Sequence, residues 1–231
     1  YGDIGWLNDV EVFDTQEKDD VVCHYTKEAL EPGKDVVGKL NWEVRFDRMQ
    51  QHSGEHIISG LVHGRYGYDN VGFHLADDYC TMDFNGPITP EALKEIEEEA
   101  NRIVFQNLDI HILYPSKEEL KDLEYRSKIE IEGQVRIVDI PGVDVCACCA
   151  PHMDTTGEIG LIKLVQMDKY KGGERIYMLS GMRALKDYQT KEASAKAISA
   201  ALCAKEDEIT EAVNHLKEEQ VSLKNEITSL K

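Results

Sequence analysis

Apolar and polar residues alternate at two periods along this chain, and the change of period marks its organisation. In residues 1–43, Val10-Glu11-Val12-Phe13 and Val21-Val22-Cys23-His24 are short strand-like runs separated by a charged turn at Gln16–Asp20. A second turn, Glu31-Pro32-Gly33-Lys34, leads into another strand over Asp35–Trp42. The expected product is a small β-domain, partly barrel-like but with too few strands to close. From Phe46 to His63 the period becomes helical, with Met49, Ile57, Ile58 and Leu61 on one side; Gly54 and Gly60 weaken that helix without ending it. Val71–Leu75 and Tyr79–Phe84 flank Ala76-Asp77-Asp78 and predict a hairpin.

Thr89 as cap and Pro90 at the first helical position open a helix that runs to about Gln106, its stripe formed by Ala92, Leu93, Ile96, Ala100, Ile103 and Val104. Leu108–Tyr114 is strand-like, and Ser116 with Glu119 forms a capping-box pattern. Ile129–Ile131 and Gln134–Ile140 read as strands around Gly133. Leu161–Gln166 and Arg175–Leu179 form a hairpin across Lys171-Gly172-Gly173, and Ser180 is the expected cap of a helix starting near Met182. Antiparallel strands interspersed with helices over residues 44–189 predict an α+β domain, an antiparallel sheet packed with helices.

Residues 190–231 follow a third pattern. Leu202, Ile209, Leu216, Leu223 and Leu230 recur every seven residues, and Val213 and Ile227 follow four after Ile209 and Leu223. That seam predicts a long C-terminal helix in a coiled coil, either a homodimer or an antiparallel hairpin within the chain. The alternative is one amphipathic helix packed on its own domain.

Composition narrows the function classes. The 231 residues are 42% apolar and 30% charged, as in an ordinary globular protein. No run reaches the roughly 18 apolar residues of a membrane span. The net charge of −18 argues against a broad basic surface for nucleic acid while leaving room for local patches. Six cysteines, three of them crowded into Cys146-Ala147-Cys148-Cys149, fit a reduced, cytoplasmic protein better than a disulfide framework. The chain starts with neither Met nor a signal-like segment, so a fragment or processed chain is expected.

Two short motifs carry the chemistry. His52 and His56 are one helical turn apart, and about a hundred residues later Cys148 and His152 repeat the same interval. Three nitrogens and one sulfur suit Zn²⁺ in tetrahedral geometry. Spacing leaves open which cysteine binds, and whether the cysteine loop is a zinc site, a redox site or a buried apolar turn. Ser53 stands where a His-Glu metalloprotease helix carries its general base, so peptidase chemistry is disfavoured. Glu55 is a candidate contact for a substrate amine or a support for the ligands.

These residues resemble the editing domain of alanyl-tRNA synthetase and its freestanding AlaX relatives. The resemblance covers about residues 1–189. It rests on Asp47-Arg48-Met49-Gln50-Gln51-His52-Ser53-Gly54-Glu55-His56-Ile57, on Phe73-His74-Leu75 with Thr81-Met82-Asp83, on Glu97–Asn101, on Val135-Arg136-Ile137-Val138, on Cys148–His152 and on Thr156-Gly157-Glu158-Ile159-Gly160. It implies Zn²⁺ held by His52, His56, Cys148 and His152, and hydrolysis of the ester joining serine or glycine to tRNA-Ala. Such editing supplies discrimination that a single binding step lacks.

Gln51, Glu55 and Asp83 are the catalytic or pocket candidates on this resemblance; Arg45, Arg48, Arg65, Lys163 and Arg183 are the RNA-contact candidates. The family's Gly-Gly-Thr between Cys and His is here Cys149-Ala150-Pro151, and proline has no N–H to offer an oxyanion. Glu55 replaces a small hydroxyl residue, which leaves serine and glycine undistinguished. The family's glycine-rich stretch before Asp3-Ile4-Gly5 is missing, so the β-domain is expected to be truncated. Two rival readings are a nonenzymatic tRNA-binding or dimerisation module with a structural zinc, and a hydrolase of another aminoacyl ester.

Overall fold

A computed structural model of the protein describes residues 2–19, 21–127 and 133–230. The expected strand Ile129–Ile131 lies outside the described residues. The chain divides into two compact units, Tyr1–Ala184 and Leu185–Lys231.

The first unit opens with β1 (Gly5–Leu7), β2 (Val10–Lys18), β3 (Val21–Thr26) and β4 (Gly38–Leu40). They form an antiparallel sheet in the order β3-β2-β1-β4. Among the described residues no pairing joins its two edges, so it is open rather than a closed barrel. Strand β2 runs on to Lys18, which shortens the expected turn at Gln16–Asp20 to its last residues. The strand expected over Asp35–Trp42 shrinks to Gly38–Leu40, because Asn41 caps helix α1 (Trp42–Tyr66) and its side chain accepts from Val44 N at 3.3 Å.

Helix α1 begins earlier than the apolar period indicates and is the central element of the unit. Residues Gln50 to Gly60 are buried without interruption. The reason is that a second sheet, a third sheet and helix α2 (Pro90–Gln106) all pack around it. The second sheet has the order β10-β11-β6-β5, built from β5 (Asn70–Leu75), β6 (Cys80–Phe84), β10 (Ile162–Tyr170) and β11 (Gly173–Ser180). Lys171 (φ 47°) and Gly172 (φ 85°) turn the β10–β11 hairpin in the left-handed region that a two-residue primed turn requires. Met82, Phe84, Ile176 and Met178 from this sheet meet Ile57 and Ile58 of α1 and Ile96 of α2 in one core. Thr89 caps α2 as expected, accepting from Ala92 N at 3.2 Å.

The third sheet, β7 (His111–Leu113), β8 (Ile137–Ile140) and β9 (Asp144–Ala147), supplies the second motif. Strand β9 takes in Cys146 and Ala147, which the sequence pattern assigns to the cysteine loop. Its partner β8 explains the difference, since a four-residue strand has too short a pattern to announce itself. The Ser116–Glu119 box is present, with Ser116 N donating to Glu119 Oε2 at 2.7 Å at the start of the short helix α3 (Glu119–Asp122).

Ser180 does not cap the following helix α4 (Met182–Leu202). It ends strand β11, and its hydroxyl is buried without a hydrogen-bond partner. The second unit holds most of α4 and the long C-terminal helix α5 (Ile209–Ser229). Cys203 at φ 52° breaks the helix between them, so Leu202 of the heptad seam lies on α4, the later members to Ile227 on α5, and Leu230 at its C-cap. Among the described residues no helix is long and apolar enough to cross a membrane.

Candidate metal centre

His52 and His56 point from α1 toward the loop that leaves β9, and the four expected ligands meet there. One donor atom from each of His52, His56, Cys148 and His152 lies within 4.8 Å of all the others. The three imidazoles pack with ring centroids 4.4 to 5.0 Å apart. Three of the residues are buried and Cys148 is partly buried. The cysteines also differ in their surroundings. Cys149 is exposed, and Cys146 lies in a group with Asp144 and His56, while Cys148 Sγ is 3.5 Å from His52 Nε2. All six cysteines are free thiols.

The hydrogen bonds orient the rings. Asp144 Oδ2 accepts from His56 Nδ1 at 2.8 Å, and the Pro151 carbonyl accepts from His52 Nδ1 at 3.2 Å. Carboxylates and carbonyls only accept, so both rings carry their proton on Nδ1 and turn Nε2 to the cluster. His56 Nε2 and both ring nitrogens of His152 are buried with no hydrogen-bond partner. Buried polar atoms without partners are costly, and a cation at the cluster would satisfy them. The N₃S donor set and these orphaned nitrogens fit Zn²⁺.

Electrostatics favour the ligating forms of Cys148 and His152. Burial opposes ionisation of Cys148, but the adjacent imidazoles of His152, His52 and His56 outweigh it and bring the thiol down to about 3. Burial also lowers His152, to about 4, against the pull of the Cys148 sulfur. Thiolate and neutral imidazole are the forms that bind metal. Burial disfavours the charged form of His56 too, but the Asp144 bond prevails and raises it well above 6.5.

Three residues that sequence reasoning missed build this arrangement. Asp144 receives a fork from Arg126, Nε to Oδ1 at 2.7 Å and Nη2 to Oδ2 at 2.8 Å. Arg126 is itself set by backbone pairing with β9, donating to Val145 O and accepting from Ala147 N, each at 2.8 Å. Arg136 Nη1 pins the cysteine loop through the Cys148 and Ala150 carbonyls at 2.7 and 3.2 Å. Asp144 closes the Pro141–Asp144 turn, but nothing in its spacing connects it to His56. Ser53, in the position of a metalloprotease glutamate, accepts from Met153 N at 3.0 Å and ties the second ligand loop to α1.

Gly60 lets this happen. A Cβ there would stand 2.4 Å from Val143 O and 2.7 Å from Asp144 Cβ, so only glycine allows α1 to approach the β8–β9 turn this closely.

The other sequence candidates separate. Glu55 adjoins the cluster: it is buried, and its Oε2 is 3.9 Å from His56 Nε2. Gln51 does not face the cluster. Its side chain brackets Ser180, accepting from the backbone N at 2.7 Å and donating to the carbonyl at 2.9 Å. Asp83 is excluded by strand parity: Met82 and Phe84 face the core, so Asp83 faces the other side of the sheet, where Arg175 holds it bidentately at 2.6 and 2.7 Å.

The five basic candidates are engaged within the chain. Arg45 binds Asp3, Arg48 donates to Gly2 O, and Arg65 meets Glu95 and Glu99. Lys163 meets Glu97, and Arg183 binds Asp47 and Ala76 O. Arg45 and Arg48 nevertheless line a groove of about 510 Å³ between the N-terminal sheet and α1, together with Phe73, Pro151 and the ligand His52. Arg65, Lys163 and Arg183 do not line it.

This fold and site define an α+β domain with a candidate metal-binding group. Residues 135–177 match the family described as the threonyl and alanyl tRNA synthetase second additional domain. The chain is 34% identical over 194 residues to alanyl-tRNA editing protein AlaX-L of Pyrococcus horikoshii, covering 80% of this chain and 48% of that one. It is 30% identical over 221 residues to alanyl-tRNA editing protein Aarsd1 of Rattus norvegicus (93% and 53%), and 29% identical over 235 residues to Aarsd1-A of Xenopus laevis (99% and 57%). The chain is similar to these alanyl-tRNA editing proteins, and it spans about half their length.

Proposed function

We propose that this chain hydrolyses the ester linking a wrong amino acid, serine or glycine, to tRNA-Ala in trans, at a zinc centre formed by His52, His56, Cys148 and His152. The observation that carries this reading is the convergence of those four side chains with buried, unpartnered imidazole nitrogens, beside a groove that His52 lines. The names of the similar proteins, alanyl-tRNA editing proteins, support the substrate class.

His52, His56, Cys148 and His152 would hold a zinc ion, which would supply Lewis acidity to the ester carbonyl or to a hydrolytic water. The chain's own residues do the rest. Asp144 and the Pro151 carbonyl hold the imidazole protons on Nδ1 of His56 and His52. The groove gives the acylated RNA end a path to His52, its apolar wall of Phe73, Met49 and Leu75 suiting a base and sugar. Arg45 and Arg48 offer guanidinium N–H groups along that path. Pro151 gives no N–H, so stabilisation of the tetrahedral oxyanion falls to other donors.

The free thiols fit a cytoplasmic protein. The exposed apolar seam Leu216, Leu223, Ile227 and Leu230 on α5 fits association with a second copy.

The test is release of amino acid from preformed Ser-tRNA-Ala and Gly-tRNA-Ala, with Ala-tRNA-Ala as control, before and after chelation. Metal-dependent release from either mischarged substrate, with the control spared, is the expected result. No release from either would overturn the enzyme reading. A folded His56→Ala protein without activity would separate a catalytic centre from a structural one.

A further inference from the structure

Helix α5 carries an apolar seam that stands in solvent. None of its residues is buried, and Leu216, Leu223 and Ile227 are each half exposed or more. A lone helix of 21 residues is marginal in water and takes most of its stability from packing an apolar face. Helix α4 offers no matching face. Carried back through it, the same spacing meets Tyr188, Glu192, Ala195 and Ser199 before Leu202. A hairpin of α5 on α4 therefore lacks a second seam.

The spacing assigns the heptad. Val213, Gln220 and Ile227 take its a positions; Ile209, Leu216, Leu223 and Leu230 take its d positions. β-branched residues at a with leucine at d favour two parallel strands, and a single polar residue at a fixes their register. Gln220, in the middle of α5, is that residue.

The flanking charges match themselves in one orientation only. Glu219 and Glu226 hold g positions and Lys224 an e position, with Lys231 next in the series along the sequence. Glu219 and Lys224 are both exposed. In a parallel, in-register pair, each g residue lies beside the e residue five positions further along the other strand. That sets Glu219 against Lys224 of the second copy, and the Glu226–Lys231 interval repeats the match. In an antiparallel pair g faces g and e faces e, so glutamate would meet glutamate and lysine would meet lysine.

We infer that α5 docks on α5 of a second copy as a parallel, in-register, two-stranded coiled coil, with Gln220 beside its own counterpart and glutamate–lysine pairs along both flanks. This arrangement rests on the association with a second copy proposed above, and gives it an orientation and a register. Both chains then enter the coil at the same end.

The test is sedimentation equilibrium of the full chain at low ionic strength, with two charge variants. Glu219→Lys with Glu226→Lys sets lysine against lysine across a parallel pair. Adding Lys224→Glu and Lys231→Glu restores opposite charges with their signs exchanged. The parent should be a dimer, the two-site variant should dissociate roughly 10- to 100-fold more readily, and the four-site variant should return to within about threefold of the parent. The difference should shrink at about 1 M salt, where charges are screened beyond about 3 Å. Emission from Trp6 and Trp42, both in the first unit, should be the same in all three proteins. A two-site variant that dimerises as the parent does is what an antiparallel pair predicts; it would overturn the orientation and leave self-association standing. A four-site variant as weak as the two-site one would overturn the cross-strand pairing. A parent that stays monomeric at every concentration sinks the association reading and this inference together.

Discussion

Replacing Asp144 with asparagine strikes folding and the candidate site together. In the native chain its carboxylate is 1% exposed and receives the Arg126 fork and the His56 proton. Asparagine has nearly the same shape but presents one neutral oxygen, so Arg126, with a side chain 11% exposed, keeps a buried charge without its counter-ion. Removing one partner of a buried pair costs about 3–5 kcal/mol. At a urea m-value of about 2 kcal/mol/M, the midpoint should fall by about 1.5–2.5 M.

The chain's two tryptophans, Trp6 and Trp42, both lie in the first unit, so their emission follows its unfolding alone. The measurement belongs in chelator, where no bound metal adds to stability. A double variant, Asp144→Asn with Arg126→Met, removes both charges and should recover part of the loss, because the excess cost lies in the orphaned guanidinium.

The acid limb gives a second signature. Burial pushes the Asp144 carboxyl up, but hydrogen bonds from His56 and Arg126 prevail and hold it below its ordinary 3.8. A group lowered in the folded state contributes stability that is complete above its unfolded value and is lost as pH falls through the folded one. Asp144→Asn should flatten that loss below about pH 4. A single variant within about 0.5 kcal/mol of the parent would refute the reasoning.

Gly60→Ala drives a methyl into the Val143 carbonyl and Asp144 Cβ; it should cost about 1–3 kcal/mol and lower the melting temperature by about 2–4 °C for each, with zinc affinity falling as Asp144 moves away from His56. Gln51→Ala breaks the bracket on Ser180; it should destabilise the first unit by about 1–3 kcal/mol yet leave zinc stoichiometry at the parent value, and a selective loss of zinc would return Gln51 to the site. Cys148→Ser should abolish the thiolate-to-Co²⁺ charge-transfer band, whereas Cys149→Ser should retain it, since Cys149 is exposed; the reverse pattern would reassign the sulfur ligand.

Local patterns carried far where the physics is local. The Thr89–Pro90 helix start, the Ser116–Glu119 box and the Lys171-Gly172 hairpin all form as their residues indicate, because capping bonds and positive φ are settled within a few positions. The histidine pair on α1 was legible for the same reason, and the repeated four-residue interval marked Cys148 and His152. Boundaries were less legible: α1 starts before its apolar stripe because Asn41 caps it, and β9 is too short to show a period.

Two of the pocket candidates lie away from the cluster because of side-chain direction. Gln51 is next to His52 in sequence, but one step along a helix turns a side chain by about 100°, here toward Ser180. Asp83 follows Met82, but one step along a strand turns it to the opposite face.

The sequence by itself determined the α+β class, the helical histidine pair and the donor types that suit zinc, because each rests on residue chemistry or on periods of a few residues. Only the tertiary structure decided that Cys148 meets all three histidines while Cys146 approaches His56 alone, that Asp144 and Arg126 stand behind His56, and that Glu55 lies beside the cluster while Gln51 and Asp83 turn away. Those outcomes depend on how α1 packs against the β8–β9 turn, and that approach is set by contacts between residues more than eighty positions apart.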